Sequence, residues 1–283
     1  MRIGGAAAVA GVGYALAMFW PLLTARPGPL QSLRTAYWHD QLGYLSIVAN
    51  AAAGDVDARE PMTTTGVNYY PRTYYTLVGI VARTLSAHPV LAWNLVSLVL
   101  QVAAVVVLAV TMSTLARRWW IGLLAPLPFF TGTLSTLTGG GWSTPLASHA
   151  VLWGPYGVTF SNNAETAGLC VIIIVLCLIA LAYARPSSRR ARIAVGVIAA
   201  VLLGILSGFQ TYSFLTGVYA VTAVIVAVML MNARWWWSAT TALAIVAVIV
   251  LGPLVADRFG QLPTLVFGLL PAVPGIILGV IRS

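Results

Sequence analysis

Residues 73–87, TYYTLVGIVARTLSA, decide how this chain is organised. The segment is a candidate membrane crossing, yet it is short and amphipathic. If it crosses, Arg117, Arg118, the arginines of 185–192, Arg234 and Arg282 all move to the outer side. That breaks the positive-inside rule at every short loop. If it lies flat, with a cytoplasmic N-terminus, the inner side holds Arg2, Arg117, Arg118, Arg185, Arg189, Arg190, Arg192, Arg234 and Arg282, and none of the six acids. The flat arrangement is therefore expected. Tyr74, Leu77, Val78, Val81 and Leu85 then follow the i, i+3, i+4, i+7 stripe of an interfacial helix.

The flanking chain is built for a bilayer. Of 283 residues, 60% are hydrophobic and 7% charged, where a soluble domain carries about 25% charged residues. A water-soluble domain is excluded. The apolar runs are about 20 residues long, which suits helices rather than barrel strands of about 10. Besides 3–24 they cover roughly 90–116, 119–133, 164–184, 193–208, 211–232, 236–256 and 262–281. The expectation is an all-α polytopic membrane protein with about eight transmembrane helices in a single domain over 1–283. Two amphipathic juxtamembrane helices are expected in a first outer loop, 25–89, and a second outer loop spans 134–163. Met1-Arg2 and the apolar run 3–24 read as a retained signal anchor, because the run is too long and Thr24-Ala25-Arg26 too poor a cleavage site for a signal peptide. The 15 basic residues are all arginine and the net charge is +9. Most stand at the ends of apolar segments, so they anchor topology rather than nucleic acid. Cys170 and Cys177 share one apolar run and read as packing residues.

Acids are costly in so apolar a chain and usually have a task. Asp40, Asp55, Asp57 and Glu60 all fall between residues 25 and 72. Asp40 opens a stripe of small and apolar residues in 39–53, HDQLGYLSIVANAAA, so it stands near a helix start at the outer face. A carboxylate there can take a proton from a hydroxyl during group transfer, with His39 tuning it or holding substrate. It can equally cap the helix. Asp55 and Asp57 have the spacing to hold a divalent cation, Mg or Mn, together with a phosphate. Arg59 and Arg72 can face a phosphate or balance the nearby acids. Glu165 follows Ser161-Asn162-Asn163 and falls in the first turn of the next helix, where it also suits the helix dipole. His149 lies in an aromatic, glycine-rich outer loop with Trp142, Trp153 and Tyr156, which reads either as a binding loop or as an interfacial belt. His39, His88 and His149 have no zinc spacing, and there is no phosphate-binding or dinucleotide glycine motif.

This layout resembles the class-C (GT-C) membrane glycosyltransferases, which use polyprenyl-phosphate sugars as donors. The resemblance rests on Trp38-His39-Asp40-Gln41-Leu42-Gly43-Tyr44 after a first helix, then on Ala53-Gly54-Asp55 at the end of a small-residue helix. Asn68-Tyr69-Tyr70-Pro71-Arg72-Thr73-Tyr74-Tyr75 follows at the entry to a second surface helix, and a long helix then ends at Arg117-Arg118. Gly204 to Tyr219 is similar to the family's glycine-rich helix pair. The resemblance implies Asp40 as general base and a second outer acid at Glu165. It adds Tyr44 to the substrate-facing residues His39, Arg59, Arg72, His149 and Glu165. It implies an N-terminal module of a larger enzyme, with the donor site completed by a further segment, a partner polypeptide or a second copy.

The activity expected is sugar transfer from a polyprenyl-phosphate donor to an envelope glycan, lipid or protein acceptor. It would take place at the outer face of the cytoplasmic membrane. The alternative is a non-catalytic membrane subunit that binds or flips a lipid-linked sugar. A small-molecule transporter would place acids near the bilayer midplane, whereas here they map to the outer end.

Overall fold

The structure is a computed structural model that describes residues 2–26, 28–34, 40–56, 72–130, 154–184, 188–206 and several positions between 208 and 220. Among these residues the chain is helical, with no strand. Its helices are α1 (Arg2–Leu23), α2 (Asp40–Ala53), α3 (Thr73–Thr84), α4 (Pro89–Leu115), α5 (Gly154–Ser161), α6 (Ala164–Ala184) and α7 (Arg189–Leu206). Two 3-10 helices, Trp119–Leu124 and Leu127–Phe130, lie between α4 and α5. The chain forms two compact units, Met1–Cys170 and Val171–Ser283.

In unit 1, α1 and α4 pack side by side. Gly11 faces Val102 and Val106, Tyr14 reaches Gln101, and Asn94 reaches the carbonyls of Leu30 and Ser32 beyond the end of α1. Residue number falls along α4 as it rises along α1, so the pair is antiparallel. A Cβ on Gly11 would stand 2.8 Å from Val106 Cγ2, so the glycine sets how closely the helices approach. Ala6, Ala7, Ala10, Tyr14 and Met18 form the buried stripe of α1, while Val9, Val12, Leu16 and Trp20 are exposed on its other side. A helix apolar on all sides suits lipid on its outer face.

The ends of these helices follow from local chemistry. Pro89 occupies the first turn of α4, where its missing N–H costs nothing, and His88 Nδ1 accepts the Val90 N–H at 3.3 Å. The same helix closes with the Arg118 N–H on Ser113 O at 3.1 Å and with Arg117 at a left-handed φ of 55°.

α2 and α3 run parallel. Tyr44 meets Tyr75, Val48 and Ala51 meet Gly79, and Gly54 meets Arg83. The crossing is held by small residues: a Cβ on Gly79 would lie 2.5 Å from Ala51 Cβ and 2.6 Å from Val48 O. At 14 and 12 residues, both are shorter than the about 20 residues needed to span a bilayer. Within 73–87 the chain forms a short helix packed on α2 and α4.

Among the described residues, three helices are long and apolar enough to cross a membrane: Arg2–Leu23, Pro89–Leu115 and the Ala164–Ala182 part of α6. The count of spans expected over the described residues is corrected accordingly. Of the 119–133 segment, the described part, 119–130, is no spanning α-helix. It is a pair of 3-10 helices with Pro126 between them and Pro128 inside the second, neither of which can donate to a helical ladder. It folds back against α4 and α1. Gly122 sits where a Cβ would stand 2.8 Å from Ala109 O, and Phe129 meets Tyr14 at 5.3 Å, halfway along α1. The apolar part of the 193–208 segment, Ala194–Leu206, is also shorter than a span. The segments expected at 211–232, 236–256 and 262–281 lie outside the described residues, apart from scattered positions up to 220.

Unit 2 buries Ile172, Val175, Leu203 and Leu206. Gly217 stands where a Cβ would meet Ile172 Cγ1 and Leu203 Cδ2, each at 3.2 Å. Cys170 of unit 1 and Cys177 of unit 2 are buried free thiols.

Candidate active site at three helix starts

The α5–α6 turn organises the interior of unit 1. Asn162 adopts φ 55°, a left-handed conformation that asparagine tolerates better than most residues. This turns its amide inward. Its Oδ1 accepts from Gln101 Nε2 at 2.9 Å and from Ser97 Oγ at 3.1 Å, and its Nδ2 donates to Asn94 Oδ1 at 3.3 Å. Trp93 Nε1 donates to the Asn162 carbonyl. Gln101 Nε2 also donates to Thr159 O at 3.2 Å, and its Oε1 accepts from the Tyr14 hydroxyl. One residue thereby links α1, α4 and α5. Buried amides of this kind are stabilising only when all their partners are present.

The next residue starts α6. Asn163 Oδ1 accepts the N–H groups of Glu165 at 3.0 Å and Thr166 at 3.2 Å, an N-cap that leaves Glu165 in the first turn. The Ala164 N–H donates to the Tyr75 hydroxyl at 3.3 Å. Tyr75 stacks on Tyr44 at 4.6 Å and 8°, and lies 5.3 Å from both the Tyr74 and Trp93 rings. Burial pushes the Tyr75 phenol well above its ordinary pKa, and Tyr44 and Glu165 act in the same direction. Gln41, in the first turn of α2 and 1% exposed, donates from Nε2 to Ser161 O at 2.9 Å. Its Oε1 has no hydrogen-bond partner among the described residues.

The starts of α2, α3 and α6 therefore meet. Asp40 is the first residue of α2, next to Gln41, Arg72 occupies the N-cap of α3, and Glu165 lies in the first turn of α6. Tyr44 stands among them through its stack on Tyr75. Asp55 is exposed just beyond the other end of α2. A helix of 14 residues separates it from Asp40 by about 20 Å. His39, Asp57, Arg59 and His149 lie outside the described residues. Among the described residues there is no group of three metal-ligating side chains.

Arg34 supports the same end of the unit. It is buried, with Nη1 donating to Phe160 O at 2.9 Å and Nη2 to Met18 O. Its guanidinium lies 4.3 Å from the Phe160 ring centre and 5.0 Å from that of Phe19. Burial pulls its pKa down to about 10, so it remains a cation at neutral pH. Carbonyls and aromatic faces hold this charge in place.

Gln41, Tyr75, Asn162 and Arg34 were not among the residues singled out from sequence. Tyr75 had a signal, since it closes the aromatic run before the surface helix, and Asn162 had one as half of an Asn-Asn pair before a helix. Compared with family models, curated proteins and solved structures, the chain matches none.

The arrangement brings two carboxylate-bearing positions, Asp40 and Glu165, to a meeting of three helix starts. Such starts carry partial positive charge and favour anions, including phosphate and a developing carboxylate.

Proposed function

We propose that the chain is an inverting membrane glycosyltransferase of the class-C type. It moves a sugar from a polyprenyl-phosphate donor to an envelope glycan, lipid or protein acceptor at the outer face of the cytoplasmic membrane. The observation that supports this reading is the meeting of the α2, α3 and α6 starts, with Asp40 opening α2, Arg72 at the N-cap of α3 and Glu165 in the first turn of α6. In the proposed step, Asp40 takes the proton of an acceptor hydroxyl. The hydroxyl oxygen bonds to the anomeric carbon, and the bond from that carbon to the donor phosphate oxygen breaks. Polyprenyl phosphate leaves. Arg72, with Arg59, faces the phosphate, and Glu165, Tyr44, His39 and His149 contact the sugars. A divalent cation at Asp55 and Asp57 would add positive charge at the far end of α2 from Asp40.

A second reading is favoured by one specific feature. Asp40 and Glu165 both occupy helix-start positions, where a carboxylate stabilises the helix whatever else it does. On that reading the chain is a non-catalytic subunit that binds or flips a lipid-linked sugar.

The test is the envelope glycan profile of cells lacking the gene and complemented with wild type or Asp40→Asn. The transferase reading expects wild type alone to restore a missing linkage while both proteins reach the membrane equally. Restoration by both variants would reduce Asp40 to a helix cap and favour the subunit reading.

A further inference from the structure

The end of unit 1 where α1 begins and α4 stops carries a surface that the proposed sugar transfer does not use. Arg117 and Arg118 are exposed there, and the antiparallel register brings the exposed Arg2 of α1 to the same end. None of the described acids belongs to these elements. Directly after the arginines, Trp119 and Trp120 are 43% and 45% exposed, and Leu123, Leu124 and Leu127 follow, also exposed.

This order of side chains is fixed by the fold. Ser113 Oγ donates to Trp119 O at 3.1 Å, and Gly122 is seated against Ala109 O and Ser113 Oγ. The 3-10 helix is thereby clamped to α4 with its indoles turned outward. Arg117 holds a left-handed conformation, φ 55°, that glycine would adopt freely. An arginine at the position where helices commonly end in glycine retains a charge at a steric cost.

Two cations, then two indoles, then an apolar ribbon match the layers of a lipid leaflet: phosphate, interface and hydrocarbon. We infer that Arg117, Arg118, Trp119 and Trp120 bind the headgroup of an anionic phospholipid, with an acyl chain along Leu123, Leu124 and Leu127. The charge selects the headgroup, and the clamped 3-10 helix supplies a rigid seat. The inference rests on the chain lying in a membrane and is independent of glycosyl transfer.

The full chain, purified in neutral detergent, is titrated with phosphatidylglycerol and separately with phosphatidylcholine, and bound lipid is counted by native mass spectrometry. Wild type is expected to retain phosphatidylglycerol preferentially. Arg118→Gln should weaken that preference about fivefold, the contribution of one arginine near a charged surface. Arg117→Gly should weaken it similarly while its lipid-free thermal midpoint holds or rises, which separates loss of the site from loss of the fold. Equal retention of the two lipids by wild type, or an unchanged preference in both variants, overturns the inference. So does displacement of the lipid by millimolar inorganic phosphate, because the site would then read phosphate without the lipid.

Discussion

Tyr44 of α2 and Tyr75 of α3 stack at 4.6 Å with their planes 8° from parallel, and the Tyr75 hydroxyl receives the first N–H of α6. One phenol thus ties three helix starts together. The hydroxyl and the ring do different work and can be separated. Tyr75→Phe keeps the stack and leaves the Ala164 N–H without its acceptor, so a loss of about 1 kcal/mol is expected. Tyr75→Ala removes the ring as well and should cost about 3–5 kcal/mol. Thermal unfolding of the purified variants checks both. Equal midpoints for wild type and Tyr75→Ala would mean that the stack contributes nothing.

Gly79 sets the distance between α2 and α3. A side chain there must push Ala51 and the Val48 carbonyl away, and neither can retreat as a flexible side chain would. Gly79→Val is expected to destabilise the pair by about 1–3 kcal/mol. Amide hydrogen exchange over residues 40–53 should rise in this variant. Unchanged protection there would argue against close packing of the two helices.

Asn162 combines a backbone role with a side-chain role. Asn162→Gly keeps the left-handed turn and loses the amide, leaving Gln101, Ser97 and Asn94 short of partners. Asn162→Ala adds backbone strain of about 1 kcal/mol to that loss. The expected order of stability is wild type, then glycine, then alanine. An alanine variant more stable than the glycine one would show that the turn is not under strain.

Glu165→Gln preserves size and the Asn163 cap while removing the charge. The proposed function expects sugar transfer to fall at least tenfold with little change in melting temperature, since general acid–base and positioning groups contribute about that much or more. Full transfer by this variant in a membrane assay would limit Glu165 to helix stabilisation.

Much of the fold could be read from periodicity alone. The runs that became α1, α4 and α6 are uniformly apolar over the length of a bilayer. The short stripe of α3 gave a short helix, and Asp40 stands at a helix start as its place before the Leu42, Leu45, Val48 stripe implied. The 119–130 segment was misread because apolar content hides backbone chemistry. Pro126, Pro128 and the close seat of Gly122 decide its form, and hydropathy does not register them. The parallel packing of α2 and α3 depends on Gly79 meeting Ala51, a contact between distant residues that no local pattern encodes. Gln41 looks like an ordinary polar residue in the first turn of a helix, and Asn162 like one in a loop. Their roles arise from partners 61 to 120 positions away.

The Asn162 hub also bears on the order of events during synthesis. If α1 and α4 cross a membrane, Asn94, Ser97 and Gln101 enter it before Asn162, which joins them, has been made, since Gln101 and Asn162 are 61 positions apart. In hydrocarbon, those polar groups must wait in makeshift pairings or be shielded by the insertion machinery. Unit 1 therefore cannot lock until the ribosome has passed the α5–α6 turn. A chain stalled or truncated ahead of that turn should leave α1 and α4 as loosely paired helices, recognisable to quality control by their unsatisfied amides.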